Sequence, residues 1–438
     1  MTTSTLGLPT LPPSRALAAL PVAIIGAGPV GLAAAAQLLE RGIECVVFEQ
    51  GETAGAHITA WGHTRLFSPW RYVVDAAAVR LLDAVGWDAP TSEALPLGHD
   101  LVTRYLLPLA ATPQLAPRIR YGSTVTDVTR QGMDRTRSTG RGRTPFLLRV
   151  RTEGTVTEYL SRAVIDASGT YGTPNGLTAS GLAPTATPAA LERIGGALPD
   201  VLGADRALFA GRHTMVVGAG HSAANTLLAL AALARDEPGT SISWAVRGGN
   251  PVRAYGSADD ELAARGALGT STHDLVRSGT VALFDGFEID DVLLADDRLR
   301  VRGRRHGAPT VVEPDRVVNA TGFRPDLDLL REIRLSLDDI VEAPRALAGL
   351  IDPNLHSCGT VTPHGVVELT HPEPDFYIVG MKSYGRAPTF LLLTGYEQVR
   401  SIADELAGNP SAAREVHLVL PETGVCSTNI DESAGCCT

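Results

Sequence analysis

Four consecutive apolar residues, Val22–Ile25, run straight into the glycine-punctuated stretch "GAGPVG". A short unbroken apolar run predicts a strand covered on both faces, as in a parallel sheet. Residues 30–40 are rich in Ala and Leu, which predicts a helix, and Gly42 supplies its stop. "IECVVFE" then predicts a second strand ending on Glu49. The same order recurs in "HTMVVGAGHSAANTLLALAALARDEPGTSISWAVRGG", where the second strand ends on Arg247. Between the two copies, "YGSTVTDVTRQG", "PFLLRVRTEG" and "VTEYLSRAVIDASG" read as a meander of strands, and "TVALFDGFEIDDVLLADDRLRVRG" reads similarly after the second copy. The last element is a strand, "FYIVG", leading through a Gly- and Pro-containing loop into a helix near 394–407, with Gly408 as its stop.

Composition narrows the class of protein. A chain of 438 residues with 44% hydrophobic content has the length for two or three domains and the apolar residues for large cores. Its 38 basic and 48 acidic residues give a net charge of −10, which argues against nucleic acid and against an anionic membrane surface as partners. "GRGR" and "RGRRHG" are locally basic and read as solvated loops. No stretch is apolar enough to span a membrane. The opening "MTTSTLGLPTLPPSRALAAL" has neither a basic start nor a clean apolar segment, so it reads as a disordered arm and the expected location is cytoplasmic. Five cysteines, an odd number, do not make a disulfide framework there.

The two glycine turns carry the candidate chemistry. Gly26, Gly28 and Gly31 form GxGxxG, and Glu49 follows Gly31 by 18 residues, near the ~20 of a dinucleotide fingerprint. Gly26 makes the tight turn, Gly28 lets a pyrophosphate approach the backbone, and Gly31 lets helix and strand pack closely. The N-terminus of the helix that Pro29 and Val30 open supplies unpaired N–H groups and positive dipole for the phosphates. The Glu49 carboxylate can accept both hydrogens of a ribose diol and would repel a 2′-phosphate, so this copy suits FAD or NAD. The second turn reads Gly218, Gly220, Ala223, with His221 and Ser222 opening its helix. Arg247 takes the place of the acid, and a guanidinium there can pair bidentately with a 2′-phosphate, which points to NADPH. Two related phrases, "DASGTYGTPN" at 166–175 and "NATGFRPDL" at 319–327, bring small residues close to each expected cofactor.

Taken together, "GAGPVG" with Glu49, "DASG", "GAGHSA" with Arg247, "NATGFRPD" and the final strand–helix pair resemble the two-dinucleotide-binding-domain flavoproteins. These comprise glutathione-reductase-like enzymes and flavin-containing monooxygenases. The resemblance implies an α/β fold of two Rossmann-like three-layer domains with a flexible C-terminal tail. It implies a discontinuous FAD domain at 21–208 and 316–410 with an inserted NADPH domain at 209–315; the residues themselves add a disordered arm at 1–20 and a Cys-containing tail at 411–438. FAD would lie on Gly26, Gly28, Pro29, Val30, Gly31, Glu49, Gln50, Val125, Ala167, Gly169 and Gly380. NADPH would lie on Gly218, Gly220, His221, Ser222, Ala223, Arg247, Thr321 and Gly322, with hydride transfer between the two, and a homodimer is compatible with it. The lead-in Phe209 and Gly211, and "DASGTYGTPN", look more like the monooxygenase branch. Relatives of the other branch carry a CxxC or CxxxxC pair, and this chain has neither. Many relatives place Asp after the glycine of the last strand; here Met381 and Lys382 follow Gly380.

Cys45 lies inside a predicted strand and reads as core. Cys358 sits in a polar loop with His356, His364 and His371 nearby and is either a reactive thiol or a plain loop residue. Cys426, Cys436 and Cys437 crowd the tail, where neighbouring thiolates are soft donors suited to a thiophilic ion such as trivalent arsenic or mercury. The tail resembles those of mercuric reductases and of flavoproteins from arsenic-resistance clusters. A redox relay to a partner disulfide and an idle tail are the alternatives. "AHITAWGHTRLFSPWRYVVD" holds His57, Trp61, His63, Arg65, Trp70 and Arg71, which either wall the flavin and bind an oxyanion, with Arg65 the candidate, or simply pack. The expected activity is therefore an FAD- and NADPH-dependent oxidoreductase. On the first reading it is a monooxygenase using molecular oxygen on a small soft substrate such as a trivalent arsenical. On the second it passes electrons to a metal ion, a disulfide or a quinone.

Overall fold

The computed structural model describes residues 17–249, 263–351, 363–387 and 390–418. Ten strands build two parallel sheets: β1 (Val22–Ile25), β2 (Cys45–Phe48), β3 (Ile119–Arg120), β4 (Ala163–Asp166), β5 (Ile194–Gly195), β6 (His213–Val217), β7 (Ser241–Ala245), β8 (Val281–Phe284), β9 (Arg316–Asn319) and β10 (Phe376–Ile378). Among the described residues the first sheet runs β10-β4-β1-β2-β3 and the second β8-β7-β6-β9-β5. Each has a fingerprint strand, β1 or β6, near its middle. β1 is a buried apolar run, as the unbroken pattern predicts, and β6 is buried from Thr214 onward. In both sheets the strand leading into the closing phrase lies beside the fingerprint strand, β4 on β1 and β9 on β6.

Four long helices cover these sheets: α1 (Pro29–Glu40), α2 (His221–Asp236), α3 (Ala263–Arg277) and α4 (Leu392–Leu406). Helix α1 starts with Pro at its first position, where the missing N–H costs nothing. It ends by donating Gly42 N–H to the Leu39 carbonyl and Ile43 N–H to the Leu38 carbonyl, a glycine stop of the Schellman kind. Ala33, Ala34, Ala35 and Ala36 are all fully buried, so small side chains let α1 lie close on the sheet and on α4.

The meanders are antiparallel and separate from the parallel sheets. The first comprises Ser123–Arg130, Phe146–Thr152 and Thr155–Ser161, and the second Phe287–Ala295, Arg298–Arg305 and Ala308–Val312. β4 and β8, which the sequence pattern merges with these runs, join the parallel sheets instead.

β9 pairs with β6 and β5 pairs with β9, so 194–195 and 316–319 hydrogen-bond within the second sheet. Pro410–Arg414 is helical, Ala413 is 2% exposed, and its carbonyl accepts the Ser401 hydroxyl. The basic stretches are solvated loops only in part. Arg141 of "GRGR" is buried against Glu373, and "RGRRHG" begins in a strand whose Arg302 and Arg304 face Asp291, Glu288 and Asp290. Glu373 also holds Arg130 at 2.8 Å, with both side chains fully buried, so one carboxylate ties the first meander to the chain before β10.

Candidate functional site

The two glycine turns have the same construction. Gly26 has φ +99°, and a Cβ there would lie 2.8 Å from the Ala167 carbonyl oxygen; Gly218 has φ +131°, and its Cβ would lie 2.1 Å from that of Ala320. Both positions therefore need glycine for the protein's own sake. Gly31 also needs it, since a Cβ would stand 2.0 Å from the Gly26 carbonyl oxygen. At the corresponding place in the second turn the Ala223 methyl is fully buried and accommodated.

Gly28 and Gly220 differ from these. Their φ values of −79° and −102° suit any residue. A Cβ at either would meet nothing within 4 Å. Backbone strain and packing do not demand glycine there; each is a helix N-cap, and glycine leaves room for a ligand against the N-terminus of α1 or α2. On this observation both turns fit a dinucleotide.

Around the first turn, the Glu49 carboxylate accepts Ala27 N–H at 2.7 Å and Gly51 N–H at 2.8 Å, which fixes the acid beside the turn. Gln50 is exposed and meets His57 through its amide nitrogen at 3.0 Å. Val125 sits in the first meander at a bulge, largely buried. Ala167 and Gly169 lie on the turn after β4, and Gly380, with φ +67°, lies just past β10 with its Cα side against Val30 of α1. The phrase "DASG" folds on itself: Asp166 Oδ1 accepts both the N–H and the hydroxyl of Ser168.

The second turn has matching parts. Asn319 Oδ1 accepts the N–H and hydroxyl of Thr321, and Gly322 follows with φ +94°. Arg247 is exposed, two residues beyond β7, at the end of the sheet where a phosphate would approach. His221 opens α2 and meets the Phe67 ring at 5.2 Å between centroids, and the Arg265 guanidinium stands 5.8 Å over that ring. Phe67 belongs to the Trp-containing stretch after the first unit, so this stretch reaches the second turn. Sequence reasoning missed it because an isolated Phe carries no local signal. It also missed Trp244, fully buried in β7, whose indole donates to the Gly218 carbonyl at 2.7 Å.

The crossings between the sheets run side by side. Pro174 pairs with Phe323 in an antiparallel bridge, Asn175 N–H donates to the Gly322 carbonyl, and the rings of Tyr171 and Phe323 lie 5.1 Å apart. Next to this crossing a cleft of about 760 Å³ opens, lined in part by His63, His99, Tyr171, Leu198, Phe209 and Arg316. Leu198 holds φ +59°, a strained backbone for a non-glycine residue.

Other predicted residues fall elsewhere. Arg65 is exposed and donates to the Leu95 carbonyl at 2.8 Å; it does not line the cleft. Trp70 is buried in the core and Trp61 packs its ring where a Gly98 Cβ would be, so both are packing residues. Arg71 pairs with Glu93. Burial pushes the Cys45 thiol up to about 12, so it stays protonated and inert. Cys358, Cys426, Cys436 and Cys437 lie outside the described residues. Among the described residues no group of three or more metal-binding side chains occurs, and no helix is long and apolar enough to cross a membrane.

The fold and paired turns define a two-nucleotide oxidoreductase. The chain belongs to the pyridine nucleotide-disulphide oxidoreductase family, whose profile matches residues 23–344. No curated protein sequence gives a significant match. Among solved structures, the bacillithiol disulfide reductase Bdr (YpdA) from Bacillus cereus is 18% identical, covers 89% of this chain and 99% of its own, and has a TM-score of 0.64. DfoA, the FAD-bound cadaverine monooxygenase of desferrioxamine biosynthesis from Erwinia amylovora, is 13% identical with coverages of 92% and 99% and a TM-score of 0.61. Thioredoxin reductase from T. acidophilum is 14% identical with coverages of 89% and 98% and a TM-score of 0.54. At these identities the likeness is one of fold. FAD at the first turn and NADPH at the second fit both the residues present and this company.

Proposed function

We propose that the protein is an NADPH-dependent FAD oxidoreductase that oxygenates a small, soft, nucleophilic substrate such as a trivalent arsenical. The observation that carries the two-nucleotide part of this reading is the open space at Gly28 and Gly220, where neither φ nor packing demands glycine and a ligand has room at each helix N-terminus. The first turn, with Gly26, Gly31, Glu49 and the Ala167–Gly169 and Gly380 walls, would hold FAD. The second, with Gly218, His221, Ser222, Ala223 and Thr321, would hold the nicotinamide nucleotide, and Arg247 would select the 2′-phosphate. When bound, the nicotinamide supplies an electron pair that the flavin passes to oxygen or another acceptor.

The chain's own residues do the rest. Phe67, against His221 of the second turn, and the 171–175 crossing, against Phe323, sit where the two units meet. The cleft beside Tyr171 admits a small molecule, and its imidazoles and Arg316 supply donors to a polar or oxyanionic group. The three tail thiols would bind a soft ion and bring it in on the chain's end. That reading rests on Cys426, Cys436 and Cys437 in the sequence.

The second reading, electron transfer to a metal ion, a disulfide or a quinone without oxygen insertion, is favoured by the vicinal Cys436–Cys437 pair and by the disulfide reductases among proteins of this fold. Oxygen consumption decides between them. NADPH oxidation and oxygen uptake are followed with trivalent inorganic and methylated arsenicals, sulfides and amines. One oxygen consumed per product oxygenated supports the first reading; NADPH oxidation that proceeds anaerobically with a metal ion, disulfide or quinone supports the second. A Cys436→Ala/Cys437→Ala protein that turns over soft ions as well as wild type refutes the role given to the tail.

A further inference from the structure

Lys382 follows the glycine of the last strand at the place where the charge is unexpected, and its side chain is completely buried. Its ammonium donates to Asp166 Oδ2 at 2.7 Å and to the Ser168 hydroxyl at 3.0 Å. Asp166 is also fully buried. The pair joins two turns remote in sequence, the one after β4 and the one after β10. Each turn touches the fingerprint: Ala167 packs on Gly26 and Gly31, and Gly380 on Val30.

The second unit supplies an internal control. Asn319 and Thr321 make the same turn as Asp166 and Ser168, with the same two hydrogen bonds, and do so without a charge. The turn therefore does not require Asp166 to be ionised. What Asp166 adds is an attachment point for Lys382, and hence for the chain beyond β10. The rest of that chain is held from the other side. Gly380 N–H donates to Gln398 Oε1 at 2.7 Å, and Ser383 donates to the Gly380 carbonyl and accepts from Gln398 Nε2. Gln398 Nε2 also faces His364 Nε2 at 2.9 Å, which is the imidazole's accepting nitrogen in this arrangement.

A buried ion pair seldom adds net stability over an apolar pair of the same size, but it does fix geometry. We infer that Lys382 is a positioning residue of the first nucleotide site: through Asp166 and Ser168 it locks the two walls of the cradle in register, and this lock governs how tightly the flavin nucleotide is kept. The inference rests on the assignment of FAD to the first turn.

The test compares wild type with Lys382→Arg, Lys382→Met and the double variant Asp166→Asn/Lys382→Met. Flavin content after prolonged dialysis, the FAD dissociation constant by fluorescence on reconstitution, and thermal midpoints are measured for each. The single Lys382→Met change strands a buried carboxylate and is expected to unfold at lower temperature. The double variant removes both charges together. It is expected to recover a near-wild-type thermal midpoint in the flavin-free protein while binding FAD at least 10-fold more weakly. Lys382→Arg is expected to keep FAD within 3-fold of wild type. A double variant that holds FAD as tightly as wild type overturns the inference, as does one whose weaker FAD binding is matched by an equal loss of NADPH affinity at the second turn. A wild-type protein that neither contains nor takes up FAD would instead refute the assignment of the first site.

Discussion

Replacing Gly28 by alanine separates what the fold needs from what the ligand needs. The residue caps α1 with φ −79° and ψ −175°, and a methyl group there would meet no atom within 4 Å. Alanine is a poorer cap than glycine by a few tenths of a kcal/mol up to ~1 kcal/mol. Against this, loss of glycine's freedom in the unfolded chain stabilises by ~0.4–1 kcal/mol. These effects oppose each other, so the flavin-free protein should change by no more than about 0.5 kcal/mol. The same methyl stands where a pyrophosphate would approach the helix N-terminus, so FAD affinity should fall at least ~100-fold, about 2.7 kcal/mol. Gly26→Ala is the contrasting case. Its φ of +99° and a 2.8 Å approach to the Ala167 carbonyl predict a loss of fold stability itself, with ~1–3 kcal/mol from backbone strain alone. Urea denaturation of the flavin-free proteins and FAD titration together read both quantities. The reasoning fails if Gly28→Ala keeps wild-type FAD affinity, or if it destabilises the flavin-free fold by 2 kcal/mol or more.

Three further outcomes are expected. Glu373→Gln leaves the buried guanidiniums of Arg130 and Arg141 without their counter-charge and should cost ~3–5 kcal/mol in chemical denaturation; a cost below 1 kcal/mol would show that the triad is not holding the meander. His371 accepts Ser336 N–H on Nδ1, and burial lowers its pKa to about 4, so the fold holds it neutral. Its contribution is present above the unfolded value of ~6.5 and is lost as pH falls from there to about 4, up to ~3 kcal/mol; His371→Asn should flatten that part of the stability profile, and an unchanged profile would contradict it. Arg247→Ala should weaken NADPH binding by ~10–100-fold with little change for NADH, the scale of one charge-assisted contact; equal losses for both nucleotides would remove Arg247 from the 2′-phosphate site.

The parts of this protein legible in its sequence are those whose physics is local. Glycine at 26 and 218 answers to a positive φ in a local turn and glycine at 31 to the nearby Gly26 carbonyl, and the Ala-rich α1 and the apolar β1 announce themselves by composition. The sequence pattern predicts α4 near 394–407, and it runs Leu392–Leu406. What the sequence hid is long-range. β5 is two residues long and joins the second sheet only because β9 passes beside it, and no pattern of two residues predicts that. "RGRRHG" looks like a loop because its alternating arginines are neutralised by acids on a neighbouring strand. Lys382 looked like a missing acid, and its meaning appeared only with Asp166, 216 residues away, at 2.7 Å. Phe67 reached the second turn by tertiary placement alone.

The central claim is that one chain carries a flavin site and a phosphorylated-nicotinamide site that work together. Its most direct test is anaerobic mixing of the purified protein, reconstituted with FAD, with one equivalent of NADPH while the visible absorbance is followed. The account predicts about one tightly held flavin per chain, bleached by NADPH and far more slowly by NADH. Protein that stays colourless after reconstitution, or a bound flavin that neither nucleotide bleaches, would contradict it.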